Sequence, residues 1–373
     1  MRVLIAPDSF KGGLRATAVA DALATGWLAV RPGDQVTRLP LADGGEGTLD
    51  VLAATVPGAR WHRARVTGPG GAPVTSRWLE LPGGTAVTEL ARASGLPLLA
   101  RPDPMGAQTT GLGEVLGRAL DAGAGRILVG LGGSAATDGG TGALAALGAR
   151  FLGAAGAPLP PGGGALAALA RADLSQLRPP PAGGVTCLTD VTAPLLGPRG
   201  AAAVFGPQKG ADGTQIARLE AGLARLAELL GGDPAAPGAG AAGGTGYGLA
   251  AAWGGVLVPG ALELGRLARL DRALAGADLV ITGEGRFDDT SLTGKVCGTV
   301  IAAARSAGVP VALVAGQVSS GLPGEGPAPD GVPAPVTVVT LAALAGGTAA
   351  ALASPRRWLR QAARQLAHDS TRD

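Results

Sequence analysis

The sequence is poor in aromatic residues, histidine, cysteine and charge. Of its 373 residues only 3% are aromatic and 16% charged, and the formal net charge is +3. Nucleic-acid-binding proteins present basic runs and aromatic platforms for stacking bases, so a nucleic-acid partner is not expected. The two histidines, His62 and His368, lie far apart. Neither a zinc site nor a Ser-His-Asp triad is therefore expected.

The two cysteines and the long uncharged segments bear on location. Cys187 and Cys297 share no short spacing and stand among apolar residues, which is typical of small buried side chains in a reducing compartment. No secretory signal is found, and the uncharged stretches 235–262 and 331–355 are interrupted by glycine and proline. We expect a soluble, cytoplasmic protein that does not enter a membrane.

Glycine and proline, in contrast, are abundant. The chain has 65 glycines and 29 prolines, a composition close to that of low-complexity sequences. Yet 46% of the residues are hydrophobic and the mean hydropathy is +0.30. A disordered chain needs low hydrophobicity and a high net charge, and this chain has neither. The length predicts two ordered domains, in which the glycines must have a structural or functional use.

A short apolar run followed by a turn of glycine and acidic residues recurs along the chain. Apolar strands that alternate with helices predict a parallel α/β sheet, whose ligands bind beyond the carboxyl ends of the strands. Glycine lets backbone N–H groups approach phosphate, and carboxylates hold Mg²⁺ or accept a proton from a hydroxyl. Together the turns predict metal-assisted phosphoryl transfer, although each alone is equally well explained as a tight connection. The runs are 3–6, 36–41, 126–131, 185–189 and 278–282, and the turns that follow them are 7–13, 42–47, 132–140, 190 and 283–289.

The pattern changes between residues 60 and 89. Alternating segments at 63–67, 74–80 and 85–89 are separated by glycine and proline, which predicts antiparallel hairpins. We therefore predict an α/β protein with one discontinuous domain, residues 1–64 and 278–373, and an inserted mixed α+β domain, residues 65–277.

Lysine is nearly absent, and this marks the few positions that have it. Of 31 basic residues only Lys11, Lys209 and Lys295 are lysine, and all three stand in turns that contain glycine. A compact ammonium at these positions is a candidate ligand for phosphate or carboxylate. The sequence has no Walker phosphate loop, and its one G-x-G-x-x-G match, at 238–243, does not follow a strand. A nicotinamide-dependent dehydrogenase is therefore disfavoured.

These turns, taken together, resemble those of the glycerate kinase family of the bacterial type I class. The resemblance covers nearly the whole chain in the family's order. Its motifs are APDSFK at 6–11, ADGGEGT at 42–48, ASGL at 93–96, GLGE at 111–114, GGSA at 132–135, DGG at 138–140, RGAA at 199–202, FGPQKGA at 205–211, GAAGG at 240–244 and TGEGR at 282–286.

The resemblance implies two α/β domains, one of them discontinuous and flavodoxin- or Rossmann-like, with the active site in the cleft between them. It implies phosphorylation of D-glycerate with ATP and Mg²⁺, and 2-phosphoglycerate is the usual product of this class. The expected partners are therefore ATP and glycerate, and a homodimer is the assembly left open.

On this resemblance we assign hypothetical roles. Lys11 and Lys209 neutralise phosphate or the glycerate carboxylate, and Arg286 forks onto one of these groups. Asp43 or Asp190 holds Mg²⁺ or accepts the proton of the attacking hydroxyl, with Asp288 as a third metal candidate. Glu46 and Asp138 are explained equally well as acids that stabilise helix N-termini, and Lys295 as a surface residue. The residues predicted to bind substrate or phosphate are Asp8, Ser9, Gly44, Gly45, Glu46, Gly132, Gly133, Ser134, Asp138, Glu284 and Lys295.

The chain departs from the family pattern at four positions. Ala193 stands where the family usually has Asn, Thr290 and Ser291 where it has Gln and Thr, and Cys297 where it has Pro. The departures at Ala193 and Thr290 leave open a related small hydroxy acid as substrate, or 3-phosphoglycerate as product. A protein that binds the ligand without turnover is the alternative of a different class, and the retained acids and lysines argue against it.

Overall fold

The structure is a computed structural model that describes residues 1–10, 13–292, 294–319 and 336–370. Two compact units are present. The first consists of Met1–Asp43, Asp50–Pro57 and Ala261–Asp373, and the second of Gly44–Leu49 and Gly58–Gly260.

The strands and α-helices are numbered in chain order. The strands are β1 (Arg2–Ile5), β2 (Gln35–Arg38), β3 (Arg60–Thr67), β4 (Pro73–Leu81), β5 (Thr85–Glu89), β6 (Arg126–Gly130), β7 (Arg150–Leu152), β8 (Arg171–Asp173), β9 (Val185–Thr189), β10 (Gly255–Pro259), β11 (Leu279–Phe287), β12 (Val311–Val318) and β13 (Val336–Thr340). The helices are α1 (Ala16–Leu28), α2 (Thr48–Thr55), α3 (Ala91–Ser94), α4 (Thr110–Asp121), α5 (Thr141–Ala146), α6 (Ala201–Phe205), α7 (Gly213–Leu230), α8 (Ala241–Trp253), α9 (Gly260–Leu267), α10 (Leu270–Leu274), α11 (Val296–Ser306), α12 (Leu341–Ala345), α13 (Thr348–Ala353) and α14 (Pro355–Asp369).

The first unit is built on a five-stranded sheet in the order β2-β1-β11-β12-β13, and all neighbouring strands are parallel. Counted within this unit, the order is 2-1-3-4-5, which is that of flavodoxin-like doubly wound sheets. The connections change direction between β1 and β11, so this position is the topological switch point of the sheet. The predicted discontinuous α/β fold with a parallel sheet is confirmed.

Helices cover both faces of this sheet because successive strand residues point to opposite sides. Val3 and Ile5 belong to the core shared with α1 and α14, whereas Leu4 belongs to the core shared with α10 and α11. Helices α1 and α14 approach closely, since a Cβ atom at Gly26 would collide with the carbonyl oxygen of Arg360. Apolar residues buried on both faces explain why β1 and the start of β11 were recognisable in the sequence, whereas β12 and β13 were not among the predicted runs.

The second unit is built on a six-stranded mixed sheet in the order β10-β9-β6-β5-β4-β3. β3, β4 and β5 pair antiparallel, which confirms the predicted hairpins, and β5, β6, β9 and β10 pair parallel. Helix α7 buries Leu219, Leu223 and Leu226 in the core of this unit. Strands β7 and β8 form a separate antiparallel pair.

The boundaries of the units differ from those placed by sequence at 64/65 and 277/278. β3 pairs along its whole length with β4, so residues 58–64 lie in the second unit. Residues 261–277 lie in the first unit because Ala261, Leu270 and Leu274 pack in the core formed with α11 and one face of the parallel sheet. Strand pairing sets the first of these limits, and hydrophobic packing sets the second.

One predicted turn is a strand. The sequence placed a turn at 283–289, but β11 continues to Phe287 and stays paired with β12 as far as Val318. A Cβ atom at Gly283 would collide with the carbonyl oxygen of Val314, so glycine here permits close strand packing. The side chains of Glu284 and Arg286 therefore project from a strand.

Two further expectations concern the cysteines and the membrane. Cys187 and Cys297 are both buried and form no disulfide, as predicted. Over the described ranges, no helix is long and apolar enough to cross a bilayer.

Candidate active site

A cavity of about 310 Å³ lies in the first unit, next to the end of β1 and the second half of β11. This is the switch point of the sheet, the usual ligand position in open α/β folds. Five of the predicted site residues with ionisable side chains line the cavity: Asp8, Glu284, Arg286, Asp288 and Lys295. Ser9 also lines it.

Asp8 and Ser9 are held by the backbone that follows β1. The Asp8 N–H donates to the carbonyl oxygen of Gly283 at 2.8 Å, which continues the pairing of β1 with β11. The Ser9 N–H donates to Oδ1 of Asp8 at 2.6 Å, and only 6% of Asp8 is exposed. The turn therefore fixes the Asp8 carboxyl group at the cavity wall.

Glu284 differs from the other acids of the cavity. It is 7% exposed, and its Oε1 atom has no hydrogen-bond partner among the described residues. Burial raises the pKa of its carboxyl group, while hydrogen bonds with Ser291 and Cys297 and the charge of Lys295 act in the opposite direction. Glu284 thus presents a buried acceptor atom at a cavity.

The remaining cavity residues form one polar network. Oδ1 of Asp288 accepts hydrogen bonds from the N–H and Oγ1 of Thr290, at 3.0 and 2.6 Å. Lys295 Nζ donates to Thr290 Oγ1 at 2.7 Å, and Arg286 Nε lies 3.6 Å from Asp288 Oδ2. Thr290, a departure from the family pattern, therefore links Asp288 to Lys295. The hydrogen bonds of Thr290 lower the pKa of the Asp288 carboxyl group, against the effect of burial.

Asp43 is buried, at 5% exposure, in the segment after β2 and at the end of the first stretch of the unit. Lys11 lies outside the described residues.

The second unit brings two of the predicted glycine turns together. Gly44 has a φ of +94°, which favours glycine, and a Cβ atom there would lie 2.8 Å from Cβ of Leu188. A Cβ atom at Gly132 would lie 2.5 Å from Cα of Gly45, so the turns at 44–45 and 132–133 pack backbone against backbone. Close packing of this kind explains these glycines structurally and also suits backbone binding of phosphate.

Ser134 and Glu46 lie near these turns in different environments. Ser134 is buried, and its Oγ donates to the carbonyl oxygen of Ala136 at 3.2 Å and accepts from the Ala136 N–H at 3.1 Å. Glu46 is exposed, and its Oε1 would lie 3.0 Å from a Cβ atom at Gly133. Ser134 therefore shapes the turn, and Glu46 lies beside it.

Asp138 is fully buried, and its carboxylate accepts four hydrogen bonds. They come from the N–H and Oγ1 of Thr109, at 2.9 and 2.8 Å, and from the N–H groups of Gly140 and Gly142, at 3.0 and 3.3 Å. Burial raises the pKa of Asp138, and these hydrogen bonds oppose the rise. The donors belong to the starts of α4 and α5, so the geometry favours the helix-stabilising alternative for this residue.

Lys209 is 2% exposed. Its Nζ donates to the carbonyl oxygen of Ala136 and to Oγ1 of Thr137, the latter at 3.4 Å. Burial lowers the pKa of Lys209 to about 8, although the charge of Asp138 raises it. The ammonium group is therefore bound inside the second unit, next to the turn that contains Ser134.

The predicted metal ligands are distributed over the two units. Asp43 and Asp288 belong to the first unit and Asp190, half-buried directly after β9, to the second. Within the described ranges no three His, Cys, Asp or Glu side chains form a metal-binding group. Mg²⁺ in kinases is commonly held by one or two carboxylates together with substrate phosphates, and single aspartates at strand ends fit that requirement.

Several contributing residues were not singled out from the sequence. Gln317 and Phe10 line the cavity, Ser291 contacts Glu284, and Thr109 anchors Asp138. Thr109 stands just before an amphipathic helix, a position where a polar side chain commonly caps. For Ser291 and Gln317 the sequence has no comparable signal.

Comparison with known proteins agrees with the fold and the motifs. The model of the glycerate kinase family matches residues 3–371. The glycerate kinase of Bacillus subtilis is 43% identical over 330 residues, and the glycerate 2-kinase of Escherichia coli is 41% identical over 330 residues. Each alignment covers 86% of this chain and 86% of the relative.

A crystal structure from Salmonella typhimurium LT2, described as a candidate glycerate kinase 2, superposes with a TM-score of 0.81 at 38% identity. The superposition covers 100% of this chain and 98% of that chain. The protein is thus a two-unit α/β kinase. It belongs to the glycerate kinase family, which confirms the resemblance seen in the sequence.

Proposed function

We propose that the protein phosphorylates D-glycerate with ATP to give 2-phosphoglycerate and ADP. The observation that carries this proposal is the group of Asp8, Glu284, Arg286 and Lys295 around the switch-point cavity. Acidic acceptors there suit substrate hydroxyl groups, and the two cations suit a carboxylate or a phosphate. The name of the Escherichia coli relative, glycerate 2-kinase, supports transfer to the 2-hydroxyl group.

The mechanism follows from charge and position. Phosphoryl transfer depends mainly on alignment and on neutralising charge at the transferred group. The glycine turns at 44–45 and 132–133 offer backbone N–H groups to phosphate oxygens, and Arg286 with Lys295 offers positive charge. Asp43 or Asp190 accepts the proton of the attacking hydroxyl group. Mg²⁺, held by phosphate oxygens and by one of these two carboxylates, supplies further neutralisation when bound.

Two alternatives concern the product and the acceptor. Thr290 ties Asp288 to Lys295 at the cavity, and Ala193 replaces the usual Asn in the second unit. Because of these two departures, the assay should include related small hydroxy acids and should distinguish 2-phosphoglycerate from 3-phosphoglycerate as the product. A protein that binds the ligand without turnover is the alternative of a different class.

The experiment is a phosphorus NMR assay of the purified protein with ATP, Mg²⁺ and D-glycerate. We expect ADP and 2-phosphoglycerate. Formation of 3-phosphoglycerate contradicts only the position of transfer, and turnover of another hydroxy acid in preference to D-glycerate contradicts only the substrate. Absence of ADP with D-glycerate, L-glycerate, D-lactate and 3-hydroxypropanoate contradicts the kinase activity itself.

A further inference from the structure

Among the described residues, five with charged side chains line the switch-point cavity of the first unit. They are the acids Asp8, Glu284 and Asp288 and the bases Arg286 and Lys295. Asp288 is already bonded to Thr290, and the Asp8 carboxyl group already accepts from Ser9. The unsatisfied hydrogen-bonding capacity therefore lies mainly with Glu284.

The Oε1 atom of Glu284 is the acceptor without a protein donor among the described residues. It is buried and has no hydrogen-bond partner in the part of the chain that the structure describes. A buried polar atom left without a partner costs roughly 1–3 kcal/mol, so native proteins rarely keep one without a use. The residue is 7% exposed and lines the cavity, so a ligand in the cavity can supply the missing donor.

We infer that this cavity receives the hydroxyl-bearing end of the acceptor substrate, and that Oε1 of Glu284 accepts a hydrogen bond from a substrate hydroxyl group. The inference rests on the proposed function, because it names the part of that site that recognises the acceptor. An anionic group placed against Glu284 and Asp8 would be repelled. The carboxylate of the substrate is therefore placed against Arg286 and Lys295.

The same chemistry, a hydroxyl group a few ångströms from an anion, also occurs in the ribose and phosphate of a nucleotide. Ligand pockets usually measure about 300–1,000 Å³, and this cavity of about 310 Å³ is at the small end of that range. Its size favours a three-carbon hydroxy acid over a nucleoside. Glu284 is then a binding residue for the acceptor.

The test combines a variant with altered ligands. The wild type and Glu284→Ala are titrated by calorimetry with D-glycerate, and with D-lactate and 3-hydroxypropanoate, each of which lacks one of its hydroxyl groups. The nucleotide arm uses ATP, 2′-deoxy-ATP and 3′-deoxy-ATP. Glu284→Gln repeats the series in case the alanine variant does not fold. Glu228→Ala is the control, since Glu228 is an acid on α7 whose side chain is 64% exposed.

We expect loss of one glycerate hydroxyl group to weaken binding to the wild type about tenfold or more, as for a hydrogen bond to a charged group. In Glu284→Ala that same loss has no effect, while Glu228→Ala behaves as the wild type. Coupling of Glu284 to a ribose hydroxyl group instead, or to no hydroxyl group, overturns the inference. The proposed function fails separately, if the wild type does not phosphorylate D-glycerate.

Discussion

Each unit contains a buried acid and a lysine that influences its charge, yet the two pairs differ. In the second unit Asp138 lies near Lys209, and in the first Glu284 lies near Lys295. Burial raises the pKa of both acids. Asp138 accepts four hydrogen bonds from its own unit, whereas Oε1 of Glu284 has no partner among the described residues.

Two buried acids in glycine-rich motifs therefore have different roles. The donors around Asp138 satisfy its carboxylate, so it stabilises the second unit. The capacity left at Glu284 is available to a ligand. Substitutions at the two sites should therefore separate stability from binding.

The largest effect is expected at the two candidate bases, one in each unit. Asp190→Asn or Asp43→Asn, whichever removes the proton acceptor, should lower kcat about 10²- to 10⁴-fold. Substitution of the residue that holds Mg²⁺ should instead give a reduced rate that approaches the wild-type rate as the Mg²⁺ concentration is increased. Steady-state rates at several Mg²⁺ concentrations separate the two roles. Asp121→Asn, at an exposed site on α4, is the control. Near-normal turnover of either variant removes that residue from the mechanism.

The largest effect on stability is expected at Asp138. Asp138→Ala leaves the N–H and hydroxyl groups at the starts of α4 and α5 without their acceptor, and leaves Lys209 without a nearby negative charge. The free energy of unfolding should fall by about 3 kcal/mol or more, measured by urea denaturation. Asp121→Ala should change it by less than about 0.5 kcal/mol. An unchanged midpoint for Asp138→Ala, with loss of ATP binding, would instead support the phosphate-binding role predicted from the sequence.

Substitutions of Lys209 and Lys295 should also separate stability from binding, with smaller effects than those of the acids. Lys209→Met removes the donor to the carbonyl oxygen of Ala136 inside the second unit and should cost about 1–3 kcal/mol of unfolding free energy. Lys295→Met removes a hydrogen bond to the exposed Thr290 and should cost less than about 0.5 kcal/mol while raising the KM for the acceptor. Urea denaturation and initial rates measure both. A large loss of kcat without loss of stability in Lys209→Met would favour the catalytic role predicted for it.

Much of the fold could be predicted because local pattern and burial agree. All five residues of β9 are buried, and such continuously buried strands can be predicted without knowing which strands they pair with. The end of β11 could not be predicted in this way. Its glycines resemble a turn, and only the pairing of Gly283 to Phe287 with β12 shows that they continue the strand.

The candidate site was less predictable because it depends on distant partners. Asp138 and Glu284 look alike in sequence, each in a glycine-rich motif. What distinguishes them is Thr109, 29 residues before Asp138, and the absence of a corresponding donor for Oε1 of Glu284 in the described chain. Hydrogen-bond satisfaction is a property of the folded packing, so sequence patterns alone could not assign the two roles.

The smallest effect is expected in the pH dependence of stability. The folded-state pKa of Glu284 lies above its ordinary value of 4.5, so its carboxyl group favours folding below that value and loses this contribution as pH rises through the folded-state pKa. Glu284→Gln should therefore be at least as stable as the wild type at pH 8, with the difference shrinking toward pH 5. Urea midpoints at intervals between these values measure the trend. Glu80→Gln should show no such trend over this range, because hydrogen bonds from Arg60 and His62 lower the pKa of Glu80, so that its contribution is lost only below its ordinary value of 4.5. A Glu284→Gln curve that stays parallel to and below the wild type would show that Oε1 has a protein partner, and would remove the distinction between the two acids.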